Sequence, residues 1–533
     1  MHSPDHGFLR GLWTEYCRGG SIYAMRHLVA ELHIGERVWW FIWIGLALVA
    51  CLMSMVQLYE KWNENPVVIS YDGRFLPVWA VPFPAVTVCP IARTQVELFN
   101  SSDVYFRFDE EGISDNEYVR LRALLHVCPM MSDFYEFNAT LAVNYVQILE
   151  NIAIPFRSLY SGCKFRKYFL DCNVYWSKSI TDGGVCYTFN AIDAESLLRT
   201  DNLHHDYLYS ESYLDSSNWT LEDGYLDDVQ LETYPLRPVG GGMDTGLMLV
   251  MKTRKVDIDY FCEGPVIGYK IAIHSPDEIP SVQHNYYRLS HNSKLSLIAQ
   301  PELTYITPDL KKHPYSRRQC YFSDERYLRY FKVYNRKNCL DECISNQTAQ
   351  ECGCVGFYSP RGPEVRICDG RDLFCPGEAI SKLLEKLNVS QRRSEIEAPC
   401  GCLPSCTTLQ YEVEISNLPW DFEAFARALG APTEVFDVLE PAGLVVSLKS
   451  KWLLPMKRQE LFGIPDMMAK FGGLFGLVMG ASVISFLELV YYCIIRPWRN
   501  DYPARSAVHV TLPYAVFQFT AEYCAQHITF EDS

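Results

Sequence analysis

The chain has 533 residues, 48% of them apolar and 21% charged, with a formal net charge of −16. About −14 of that charge falls between residues 60 and 469, which excludes nucleic acid as a partner and leaves either a field that enriches cations or a merely soluble surface. Sixteen of the 20 cysteines lie in the same stretch, which fits an oxidising compartment.

In chain order, residues 1–37 are mixed polar and about neutral, with no short apolar core or small-residue cleavage site of a signal peptide. Residues 38–59 carry no charge and are 22 in number, enough for a hydrocarbon core of roughly 30 Å. This segment is expected to act as signal anchor and first transmembrane helix, with 1–37 a cytoplasmic tail.

Residues 60–469 are expected outside the cell as one disulfide-braced α/β domain. Apolar stretches at 84–89, 184–189, 247–252 and 266–273 predict strands, and the acidic stretch 201–232 predicts a surface elaboration. Five glycosylation sequons begin at Asn100, Asn138, Asn218, Asn346 and Asn388. The section 320–406 holds ten cysteines in 87 residues. Cys339 and Cys343 share one face of a helix, whereas Cys352-Gly-Cys354 and Cys400-Gly-Cys402 suit extended segments. Such pairs also occur in zinc sites, but no histidine lies within 320–406 and extracellular thiols oxidise, so disulfides are expected and no metal.

Residues 470–495 form a second apolar stretch, expected as the second transmembrane helix, with 496–533 as a cytoplasmic tail. Arg37 before the first span and Arg496 and Arg499 after the second agree with cytoplasmic ends. This span carries a carboxylate, Glu488, where a charge costs roughly 2.5–3.5 kcal/mol unless it meets water or a partner. On an unbroken helix Ala469, Gly472, Gly473, Gly476 and Gly480 fall in one stripe, and Glu488 lies well off it. A break at Gly480-Ala481-Ser482 would let stripe and acid address one axis, since glycine tolerates the backbone change and freed carbonyls can line a wet cavity. The plainer alternative is glycines serving helix packing alone.

Several motifs together resemble the degenerin / epithelial sodium channel / acid-sensing channel superfamily, in its pickpocket branch. They are Phe83-Pro-Ala-Val-Thr-Val-Cys-Pro90, Gly184-Val-Cys-Tyr-Thr-Phe-Asn190, Arg318-Gln-Cys-Tyr-Phe322, Asn338-Cys-Leu-Asp-Glu-Cys343, Cys352-Gly-Cys-Val355, Cys400-Gly-Cys-Leu-Pro-Ser-Cys406 and the run from Phe471-Gly-Gly through Gly480-Ala-Ser482 to Glu488. The resemblance implies an integral membrane trimer. Each subunit would have two transmembrane helices flanking a disulfide-rich α/β extracellular domain with a palm-type sheet and a helical thumb at 320–406.

It also implies the pairs Cys320–Cys406, Cys339–Cys402, Cys343–Cys400, Cys352–Cys375, Cys354–Cys368, Cys89–Cys186 and Cys163–Cys172. Cys128 and Cys262, left over, are expected to pair with each other. It implies a selectivity filter at Gly480, Ala481 and Ser482, with Glu488 as an acidic ring beneath, and Ala469 as a position where small side chains permit closure.

Two positions depart from the family pattern. Lys470 stands where a carboxylate is common, either opposing cations at the outer mouth or turned sideways to lipid headgroups. Tyr23 and Ala24 stand where a His-Gly gating motif is usual.

The function expected is a subunit of a sodium-permeable, amiloride-sensitive cation channel of the plasma membrane, sensory or epithelial, gated from outside by ligand, pH or force. It needs no cofactor beyond the permeant sodium ion. The departures suggest poor conduction alone and assembly as a heterotrimer with related subunits rather than a homotrimer. The alternative is a two-span, disulfide-braced receptor of scavenger type, which would not need Gly-Ala-Ser or an intramembrane Glu. A trimeric ATP-gated channel would show a different cysteine pattern. An ectoenzyme is least favoured, since the pair His204-His205 reads as an exposed loop and no nucleophile motif is present.

Overall fold

A computed structural model of the chain describes residues 6–28, 33–64, 66–110, 112–128, 141, 143–207, 215–226, 230–390, 400–430 and 434–496. The sequon at Asn138 and the tail from residue 497 lie outside them. The fold divides into two units, one of residues 65–461 and one combining 1–64 with 462–533.

The larger unit is built on two sheets. The spine of the first is Ser293–Ile306, paired antiparallel with Thr408–Pro419 and parallel with Leu439–Leu448. Leu247–Arg254, Tyr160–Phe165 and Tyr168–Phe169 continue it past Leu439–Leu448, while Met456–Glu460 and Val67–Tyr71 extend it from the far end of the spine. Along Leu247–Arg254 burial alternates strictly, with Leu247, Leu249, Met251 and Thr253 inside, because successive side chains point to opposite faces.

The second sheet runs Tyr287–Leu289, Tyr269–His274, Ala85–Pro90, Gly184–Phe189, Trp176–Thr181 and is antiparallel throughout. Its central strand Ala85–Pro90 is buried at every residue, with Thr87 its one polar side chain, hydrogen-bonded to Thr188 on the neighbouring strand. One core joins the sheets, with Phe83, Phe165 and Phe189 meeting edge to face.

Eight disulfides brace this unit. They join Cys89 to Cys186, Cys128 to Cys262, Cys163 to Cys172, Cys320 to Cys406, Cys339 to Cys402, Cys343 to Cys400, Cys352 to Cys375 and Cys354 to Cys368. Helix Arg336–Cys352 carries Cys339 and Cys343 on one face and packs on helix Cys375–Ser390. Asn335 caps its start by accepting the Asn338 N–H at 2.7 Å.

Two sequence expectations need correction here. Cys352 is the last helical residue rather than extended, because Gly353 adopts φ +67 and closes the helix behind it. Cys400–Cys402 is a loop turning at Gly401 (φ +55) rather than a strand.

The stretch 201–232 is likewise more than surface. Leu203 and Trp219 are buried in a second core beside Tyr334 and Cys402. Of the histidine pair, His205 is exposed, while His204 is half-buried, stacks on His205 and sets Nδ1 2.5 Å from the buried Asp206.

Candidate functional site

In the smaller unit, helix Ile34–Glu64 is long and apolar enough to cross a membrane and extends past 38–59 at both ends. It packs along helix Ile464–Met479, and Trp62 Nε1 donates to Phe462 O at 2.9 Å. The charges at its ends agree with that reading: Glu36 and Arg37 at one, Glu60, Lys61 and Glu64 at the other, none between.

Helix Ile464–Met479 begins at Gly463, whose N–H donates to Asp466, and Pro465 suits the first turn. It ends at Gly480, which takes φ +63, a conformation that costs other residues roughly 1–2 kcal/mol. Gly480 N–H and Ala481 N–H turn back to Gly476 O and Phe475 O at 3.1 and 3.4 Å. Ser482 then starts helix Val483–Val490 as its cap. Its Oγ accepts the Ser485 N–H at 3.3 Å while Ser485 Oγ accepts the Ser482 N–H at 3.0 Å. The helix continues through Tyr491–Ile495, and the two halves are bent by 77°.

The break therefore spends its donors locally. The carbonyls of Gly480 and Ala481 receive no hydrogen bond from any described residue. An unpaired carbonyl in an apolar setting costs free energy unless water or a cation meets it. On the N-terminal side of the break, Gly472 and Gly473 face open space, where an added Cβ would meet nothing within 4 Å. Ala469 is exposed on the same helix. Lys470 folds its ammonium over the ring of Phe462, 2.9 Å from the centroid.

Sequence reasoning missed what packs against the second half of the broken helix. Helix His6–Gly19 leads into Gly20 and Ser21, and then a short 3-10 turn, Tyr23–Leu28, holds Tyr23 and Ala24. Ser21 N–H donates to Glu488 Oε2 at 2.7 Å, and Ser21 Oγ lies 2.6 Å from Ser485 Oγ. Glu15 pairs with Arg496, and Tyr16 meets Tyr492 edge to face. The available signal was Gly19-Gly20: a Cβ on Gly20 would sit 2.8 Å from Tyr16 O, so the chain can close there only without a side chain.

In the larger unit a second titratable group stands out. Asp277 and Glu278 follow strand Tyr269–His274 and abut helix Arg336–Cys352, whose Asn338 and Asn335 side chains donate to Asp277 O. Burial, reinforced by the Asp277 carboxylate and by Asp341, pushes the Glu278 carboxyl up to about 7, against the pull of Lys337.

Residues 16–492 match the family described as the amiloride-sensitive sodium channel. Pickpocket protein 28 of Drosophila melanogaster is 24% identical over 495 residues, 91% of this chain and 78% of that one. Sodium channel protein Nach of Drosophila ananassae is 24% identical over 512 residues, 92% and 88% of the two chains. Acid-sensing ion channel 4 of Mus musculus is 22% identical over 481 residues, 87% and 75% of the two.

Proposed function

The chain belongs to the amiloride-sensitive sodium channel family, in its pickpocket branch, and from that premise we propose that it is one subunit of a trimeric, amiloride-sensitive channel of the plasma membrane, opened by an extracellular stimulus. By membership it is a sodium channel subunit rather than an enzyme. The receptor alternative is not favoured.

In this reading the bent pair Ile464–Met479 and Val483–Ile495 is the second crossing, and both termini are cytoplasmic. Three copies of the Gly480-Ala481-Ser482 break form the constriction. The observation that carries it is the pair of unbonded carbonyls at Gly480 and Ala481, the kind of oxygen that replaces part of a small cation's hydration shell. Ser482, engaged as a helix cap, contributes mainly by fixing those carbonyls, and Glu488 lies on the cytoplasmic side of them. The open faces of Gly472 and Gly473 leave room for a neighbouring subunit or the lumen.

Assembly with related subunits also agrees with the long, solvent-facing edge strand Thr408–Pro419, on which Ile415 and Leu418 are exposed. Tyr23 and Ala24, in place of the usual His-Gly motif, support the heteromeric form, whereas Lys470, turned onto Phe462, does not bear on it. The test is to record from cells expressing the chain with and without related subunits while external sodium is replaced. A sodium-dependent current that appears or grows only on co-expression supports the reading, and no sodium-dependent current in any combination contradicts it.

A further inference from the structure

A cavity of about 450 Å³ opens in the larger unit. It falls within the size range of small-molecule pockets. Its floor is where the segment after Cys320 crosses the segment before Cys406. Tyr321 N–H donates to Pro404 O at 3.0 Å, Cys406 N–H to Tyr321 O at 2.9 Å, and the Cys320–Cys406 bond locks the crossing.

One wall is aromatic. Trp219 is buried, Tyr334 is buried with its hydroxyl on Leu403 O at 2.6 Å, and Tyr327 stands out at the rim, 68% exposed.

The charges around this cavity are unevenly satisfied. Its three cations are each turned onto a backbone carbonyl, and the Arg199 guanidinium also lies over the Tyr327 ring, 4.5 Å from its centroid. Arg199 Nε donates to Leu328 O and Phe331 O at 3.1 Å, Arg326 Nη2 donates to Cys400 O at 2.9 Å, and Lys332 Nζ donates to Glu195 O. Its three carboxylates have no cation among the described residues. Asp277, only 3% exposed, receives the Ser275 hydroxyl. Glu222, held by the turn in which Gly224 N–H meets Thr220 O, accepts the Ser323 N–H at 2.7 Å. Asp324 has no partner among the described residues. Burial pushes the Asp277 carboxyl up, toward its neutral form, and a cation bound beside it would favour the ionised form instead.

We propose that this cavity binds a small organic cation, an ammonium on an apolar body, with the ammonium between Asp277, Glu222 and Asp324 and the body against Trp219. Aromatic faces add to the attraction for such a cation. An inorganic cation would leave the aromatic wall unused, and a carboxylate ligand would meet three acids. The further statement that occupancy is an opening stimulus rests on the channel reading: the Cys320–Cys406 crossing adjoins the Cys339–Cys402 and Cys343–Cys400 bonds to helix Arg336–Cys352, so a ligand here acts on that braced lever.

The test uses the full chain in detergent, titrated calorimetrically with 2-phenylethylamine and with its anionic counterpart 3-phenylpropionate. The amine should bind saturably, the acid should not, and Glu222→Gln with Asp324→Asn should weaken the amine at least about tenfold with an unchanged melting temperature. Saturable binding of both probes alike, no binding of the amine, or undiminished binding to the double variant overturns the proposal. Binding is read without current. A chain that binds the amine yet never conducts refutes the channel reading alone, and one that conducts without binding it refutes the pocket alone.

Discussion

The backbone N–H of Ser21 donates to the Glu488 carboxylate at 2.7 Å, which joins the segment before the first apolar helix to the second half of the broken one. Hydrogen bonds to an ionised group contribute roughly 1.5–3 kcal/mol. The Ser21 side chain adds its own contact with Ser485 Oγ at 2.6 Å.

Ser21→Pro removes the N–H and its bond to Glu488, whereas Ser21→Ala removes only the hydroxyl. In cells giving current, the proline variant should shift the balance between closed and open states more than the alanine variant. Patch-clamp measurement of resting against stimulated current checks this. Equal effects would mean that the backbone bond carries no weight.

Gly480→Ala places a Cβ on a residue held at φ +63. The strain, roughly 1–2 kcal/mol, favours relaxing the 77° bend. The expected outcome is normal surface delivery with a shift of the reversal potential toward loss of sodium preference, read by exchanging external sodium for potassium.

Burial and the neighbouring Asp277 carboxyl push the Glu278 carboxyl up to about 7 from its ordinary value near 4.5. A raised carboxyl favours the folded state when protonated, so its stabilising effect is present at low pH and is lost as pH rises through about 7. Glu278→Gln mimics the protonated form without titrating. The variant should melt at nearly the wild-type temperature at pH 5 and above it at pH 8, with Asp277, Asp341 and Lys337 retained. Melting curves of the purified chain at both pH values decide it.

Much of this was legible beforehand. The uncharged run at 38–59 marks a helix long and apolar enough to span by length and composition, and the apolar stretch at 247–252 announced the strand Leu247–Arg254. The i, i+4 spacing of Cys339 and Cys343 identified helix Arg336–Cys352, and the glycine at 480 marked the break. Other features depend on partners distant in sequence. Ser21 and Glu488 are 467 residues apart, and nothing local to either predicts their bond. Trp219 reads as part of an acidic loop because its burial comes from Tyr334 and Cys402, far along the chain. Cys352 was misread as extended because a Cys-Gly-Cys pattern does not reveal whether glycine continues a strand or ends a helix.

The Cys320–Cys406 and Cys354–Cys368 bonds have sequence separations of 86 and 14. The Cys339–Cys402 bond is nested inside the first and stays intact, which cuts the loop that the first closes to about 25 residues, so if loop entropy dominates, removing the first by paired Cys→Ala changes should cost only about 0.5 kcal/mol more than removing the second. Denaturant titration of the two double variants compares them directly.

The central claim, that the chain unwinds at Gly480-Ala481-Ser482 to expose carbonyls to a hydrated path, is tested most directly by single cysteines at 480, 482 and 488. Small charged thiol reagents in the bath or pipette should modify them and block sodium current, with state dependence at 480 and 482. If all three remain unreactive in resting and stimulated channels while current flows, ions pass elsewhere and the claim is wrong.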